Sequence, residues 1–140
     1  MSFISVFDVL GPNMIGPSSS HTAGAAAIAL LAGKMPNAAI KKADFILYGS
    51  FARTYKGHGT DRALLGGIMG FSTDDRRIPD SFSIADERGL QYSFTANTTE
   101  TEVPPSTTAS IRSFGVFGEI NFALCKWVFP FGKVICTHVP

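Results

Sequence analysis

Three serines, a histidine and a threonine stand together in Gly16–Pro17–Ser18–Ser19–Ser20–His21–Thr22–Ala23–Gly24, just ahead of an alanine-rich stretch. Hydroxyls from Ser18, Ser19, Ser20 and Thr22, added to the unpaired backbone N–H groups of a helix that begins here, make a cradle for carboxylate or phosphate oxygens. The same residues also serve as an extended helix cap, and composition alone does not choose between the two roles. His21, at the start of such a helix, is pushed toward its neutral form by the local positive potential, a state suited to accepting a proton or a hydrogen bond. A second histidine, His58, lies between Gly57 and Gly59. Two neighbours without Cβ let a ligand or another backbone come close to its imidazole. Thr60 and Asp61 follow, either as helix cap and first-turn acid or as groups that orient His58. Lys56 and Arg53 beside this turn can pair with a carboxylate or stand as solvated surface cations.

The elements that must position these residues read as follows. Ser5–Asp8 has the spacing of a capped helix start that Gly11–Pro12 stops. Thr22 or Ser20 caps a helix from about Ala23 to Gly33, closed by Pro36–Asn37, and its Ala and Gly residues allow another backbone to pack very close. The unbroken apolar run Phe45–Ile46–Leu47–Tyr48–Gly49 predicts a strand buried on both faces, followed by the glycine-rich turn at His58. Leu64, Leu65, Ile68 and Met69 fall at helical spacing behind Thr60 and Asp61. Ile78–Pro79–Asp80 opens a third helix through Ile84 to Arg88, Gly89 ends it, and Leu90–Phe94 alternates like a strand. This order predicts an α+β domain, a mixed sheet with packed helices.

Of 140 residues, 45% are hydrophobic and 16% charged, which fits one compact domain with its own core. Twelve basic residues against eleven acidic ones leave a net charge of +1 with no basic face, so nucleic acid is not an expected partner. The N-terminus lacks a basic segment and carries Asp8, and no stretch approaches the roughly 18 apolar residues of a membrane span; a cytoplasmic protein that makes no membrane contact is expected. Two cysteines, Cys125 and Cys136, are too few for a disulfide scaffold. Nucleotide-binding loops, HExxH, CxxC and Gly-x-Ser-x-Gly are all missing, so the residues themselves lead as far as an anion-binding domain with two exposed histidines.

Three blocks go further: FDVLGPNMIGPSSSHTAGA, LYGSFARTYKGHGTDRALLGGIMGF and RIPDSFSIADERG, in that order. Over about residues 3 to 95 the chain resembles the beta subunit of the iron-sulfur L-serine dehydratases. The resemblance implies elimination of water from L-serine to aminoacrylate, which tautomerises and hydrolyses to pyruvate and ammonia. It also implies a four-iron, four-sulfur (4Fe-4S) cluster acting as Lewis acid at the substrate hydroxyl. Two cysteines cannot ligate such a cluster, so the resemblance assigns it to a cysteine-bearing alpha subunit, this chain's expected partner, with no metal ligand here. By the same analogy His58 takes part in proton transfer. His21, with Ser18, Ser19, Ser20 and Thr22, holds the substrate carboxylate or the network around it, and Thr60 and Asp61 are expected among the substrate-binding residues.

Residues 1–96 are thus expected to form the serine dehydratase beta domain. Residues 97–140 are set apart as an atypical tail: family chains usually continue with an HPNT-like segment and a small ligand-binding domain, and EVPPSTTASIRSF stands there instead. The tail's lack of alternation and its Phe, Trp and Cys content match a shifted reading frame in the recorded gene, with genuine divergence or truncation as the alternatives. A competing reading makes the chain a non-catalytic anion-binding module, similar to a regulatory segment of some phosphoglycerate dehydrogenases. His58 discriminates, because an anion site needs only hydroxyls and N–H groups whereas dehydration needs a group that moves protons.

Overall fold

The computed structural model describes residues 19–36, 39–97, 108–115, 120–128 and 133–139. The elements in chain order are α1 (Ser19–Lys34), β1 (Ile40–Tyr48), α2 (Gly49–Thr54), α3 (Thr60–Ile68), a 3-10 turn (Ile78–Asp80), α4 (Ser81–Glu87), β2 (Gln91–Asn97), β3 (Thr108–Gly115), β4 (Ile120–Val128) and β5 (Lys133–Val139). The strands make one sheet in the order β2-β1-β3-β4-β5. β1 runs parallel to β2 and antiparallel to β3, and the ladder stays antiparallel through β5. The expected α+β class, a mixed sheet with packed helices, is what the chain adopts. The Ser5–Asp8 helix start lies outside the described residues. Past Asn97, where the sequence shows no clear period, the backbone supplies β3, β4 and β5 to this same sheet.

β1 organises the core. Ala43, Phe45 and Leu47 point to one face and are fully buried, while Lys42, Asp44, Ile46 and Tyr48 on the other are half-buried. A strand buried on both faces is therefore corrected to one buried on one face. The helices pack against Ala43, Phe45 and Leu47. On the opposite side Ser93 Oγ donates to Asp44 Oδ1 at 2.7 Å and Lys42 Nζ pairs with Asp44 at 3.1 Å, polar contacts that keep this surface next to water. Phe45 lies opposite Phe94 of β2, their rings stacked at 4.8 Å, and opposite Ile111 of β3, which is 1% exposed. Register pairs of this kind carry much of a sheet's stability.

The helical layer depends on small residues. α1 buries Ala25, Ala26, Ile28, Ala29 and Ala32, and α3 buries Thr60 and every residue from Ala63 to Ile68. A helix covered almost all round belongs to an interior, and only Asp61 and Arg62 of α3 keep contact with solvent. A Cβ placed on Gly67 would sit 2.4 Å from Ala26 O and 2.8 Å from Ala29 Cβ, and one on Gly33 would sit 3.0 Å from Ile68 O. The two backbones therefore touch, as the Ala and Gly content predicts. α4 ends where expected, with Gly89 in the left-handed region at φ 67°. α2 is not legible in advance: its six residues bury only Phe51 and Ala52, too short a stretch for periodicity to register.

Candidate functional site

α1 begins at Ser19, four residues before the predicted start, which changes what the hydroxyl-rich segment does. Ser19 and Ser20 lie in its first turn, and Ser18 lies outside the described residues. Thr22 is not a cap. It is 1% exposed inside the helix, and its Oγ1 donates to the carbonyl oxygen of His58 at 3.0 Å, tying α1 to the turn 36 residues further on. His21 occupies the third position of α1 and faces the same turn.

That turn links α2 to α3 and is held at each end. His58 N donates to Thr54 O, Thr60 N to Tyr55 O, and Ala63 N to Gly59 O, each at 3.0 Å. Gly59 caps α3 at φ 69°, a conformation that a residue with Cβ adopts only under strain. The cap reading of Thr60 is thereby corrected. Gly59 takes the cap position, Thr60 is the first residue of the helix, and its fully buried Oγ1 has no hydrogen-bond partner among the described residues. Asp61 is the first-turn acid, its Oδ1 accepting from Arg62 N at 2.8 Å. Partial burial raises its pKa against the pull of that N–H and of the Arg62 and Lys56 charges.

The two histidines converge. Their ring centroids are 4.9 Å apart and the rings perpendicular, with Phe51 edge-on to His21 at 5.6 Å. His21 Nε2 lies 2.6 Å from Ser50 Oγ. His58 Nδ1 is buried without a partner among the described residues, so neither it nor Thr60 Oγ1 is satisfied by the other. Buried polar atoms left this way are costly unless a water or ligand completes them. The His21 pKa is lowered, first by burial and then by the positive charge of His58. The neutral form expected from the helix terminus is thus favoured by desolvation and a like charge. Lys56 lies over the Tyr55 ring at 5.8 Å and Arg53 is exposed. Ser50 and Phe51 escaped the sequence reading. The one available signal was their place inside the block that also holds Gly57–His58–Gly59.

A family model described as "Serine dehydratase beta chain" matches residues 5–112. The chain belongs to the serine dehydratase beta chain family. It is similar to the "L-serine dehydratase, beta chain" of Peptoniphilus asaccharolyticus, 48% identical over 114 residues that cover 81% of this chain and 51% of that protein. It is also similar to the "Probable L-serine dehydratase, beta chain" of Bacillus subtilis (strain 168), 50% identical over 94 residues covering 67% of this chain and 43% of that protein. The chain spans about half the length of these relatives.

The residues of this chain do not fit a four-iron, four-sulfur cluster. Among the described residues no group of three or more His, Cys, Asp or Glu could hold a metal ion. Cys125 of β4 and Cys136 of β5 stand opposite each other in the sheet and are the only cysteines in the sequence, fewer than cluster ligation by thiolates requires. No helix among the described residues is long and apolar enough to cross a membrane.

Proposed function

We propose that this chain is the beta subunit of a two-subunit L-serine dehydratase that converts L-serine to pyruvate and ammonia, with the iron-sulfur cluster held by a cysteine-bearing alpha subunit. The observation that carries the reading is the meeting of His21 and His58, brought from separate elements to 4.9 Å with a buried imidazole nitrogen that has no hydrogen-bond partner among the described residues. The names of the similar proteins support L-serine as the substrate, and the two imidazoles support a part for this chain in the chemistry.

Dehydration removes a proton from Cα of serine and protonates the departing hydroxyl, so it uses one base and one acid. Two imidazoles this close resist carrying two positive charges, since each proton raises the cost of the next. The pair therefore disfavours double protonation, which keeps His21 neutral and leaves proton transfer to His58, as base toward Cα and then as acid toward the departing hydroxyl. In this reading His58 moves the proton and His21 orients the substrate carboxylate, a task that Ser18, Ser19 and Ser20 share. Thr22 acts by holding the His58 carbonyl and Gly59 by setting the bend, while Thr60 and Asp61 line the far side of the turn. Phe51, fully buried and edge-on to His21, keeps water from one side of that ring.

The test is co-expression with a cysteine-bearing alpha subunit under anaerobic conditions and an assay of pyruvate from L-serine. His58→Ala is expected to reduce turnover by about a hundredfold or more, the usual size of a general acid-base contribution, and His21→Ala to raise KM as well. Full activity in both variants would end the reading.

A further inference from the structure

We infer that Ser50 is the positioning residue that sets which nitrogen of His21 carries the proton. Its oxygen lies 2.6 Å from His21 Nε2. A serine hydroxyl can donate to an unprotonated ring nitrogen or accept from a protonated one; the short contact fits the first, with Ser50 O–H donating to Nε2. A neutral imidazole that accepts at Nε2 keeps its proton on Nδ1, the opposite of the Nε2–H form that free histidine prefers in water.

Ser50 is built to hold that position. It is the second residue of α2, its own carbonyl accepts from Thr54 Oγ1 at 2.7 Å, and the next residue, Phe51, is fully buried with its ring against His21. Buried Phe51 anchors the backbone of Ser50 beside the imidazole, so one χ1 rotamer of the serine brings its oxygen to Nε2. Thr22, the next residue of α1, is tied in turn to the His58 carbonyl. Ser50 thus fixes the ring's proton while Thr22 fixes its distance from the second ring. Such outer partners commonly decide the tautomer of a working histidine.

The inference rests on the proposed dehydratase reading only for its effect on turnover, so the experiment has two arms. In the first, the full chain labelled with nitrogen-15 is examined by long-range proton–nitrogen NMR at a pH where His21 is neutral. Nε2 of the wild type is expected at the shift of an unprotonated nitrogen, with the proton on Nδ1. Ser50→Ala is expected to move the proton toward Nε2, and Ser50→Thr, which keeps the hydroxyl, to restore it. Protonated Nε2 in the wild type would overturn the inference whatever the variants do, as would an unchanged His21 spectrum in Ser50→Ala.

In the second arm, the assembled two-subunit enzyme carrying Ser50→Ala is expected to rise about ten- to a hundredfold in KM with a smaller change in kcat, and Ser50→Thr to recover most of it. If the tautomer responds while His21→Ala and His58→Ala remain fully active, the functional reading fails and the role of Ser50 stands. If turnover depends on both histidines and the tautomer ignores Ser50, the reverse holds.

Discussion

Gly67→Ala tests whether the contact between α1 and α3 governs the site. In an ordinary helix interior this change stabilises by about 1 kcal/mol, through helix propensity. Here the new Cβ would meet Ala26 O at 2.4 Å, Ala29 Cβ at 2.8 Å and Leu30 N at 3.0 Å. Two of these three are backbone atoms that no rotamer change can move aside. Relieving the contact means separating the helices by about 1 Å, toward the roughly 3.5–4.0 Å at which carbon atoms attract. Overpacking of this kind costs about 1–3 kcal/mol, and rigid neighbours put it at or above the upper end. With the propensity gain subtracted, a net loss of roughly 2 kcal/mol remains, a fall in Tm of about 5–10 °C for a domain of this size. The assay is thermal unfolding followed by circular dichroism. Gly57→Ala serves as control, because its Cβ meets only Thr54 O, at 3.9 Å. A Gly67→Ala variant that melts at or above the wild-type temperature would show that the helices do not touch there. The same separation should weaken nuclear Overhauser contacts between the His21 and His58 rings.

Three further outcomes follow from the site and its surroundings. Thr22→Val removes the donor to the His58 carbonyl at nearly constant volume, and denaturant unfolding should show a loss of about 1–3 kcal/mol for a buried acceptor left unpaired; unchanged stability would mean the latch does not hold. His21 should titrate below 6.5, and His58→Ala should raise its pKa by removing the opposing charge. Since a lowered folded pKa favours the neutral ring, its contribution to stability is present above the unfolded value near 6.5 and drains away as pH falls through the folded pKa. Unfolding midpoints of wild type and His21→Gln should therefore diverge least in acid, and parallel curves would refute the shift. Asp75, held at about 2 by hydrogen bonds from the Arg77 side chain and backbone, should move back toward 3.8 in Arg77→Ala; a carboxyl carbon-13 titration reads this directly.

Much of this architecture could be read along the chain, because its signals are local. Alanine and glycine in α1, the apolar spacing of α3, Pro79 and Gly89 around α4 and the alternation of β2 each act within a few residues. That another backbone could come very close to α1 was legible too, from its Ala and Gly residues, but not that α3 is the partner. What escaped depends on partners distant in sequence. Thr22 suits a helix cap until α1 is found to start at Ser19, and its hydroxyl then serves a carbonyl 36 residues away. Thr60 gives up the cap position to Gly59, whose positive φ no propensity assigns. A lone serine in a six-residue helix carries no periodic mark, so only three-dimensional packing reveals Ser50 beside His21. β3 to β5 owe their places to ladder hydrogen bonds with neighbouring strands, and such bonds leave a weak trace in side-chain pattern.

The backbone-to-backbone contact at Gly67 makes the spacing of the two imidazoles a main-chain dimension. A gauge cut from peptide groups does not drift as side chains exchange rotamers, so mutations on the outer surface should leave the working distance alone. It has no compliance either: one misplaced methyl spreads the jaws. If the proposed reading holds, turnover of the assembled enzyme and the integrity of this helix pair should then fade together on heating, along a single curve.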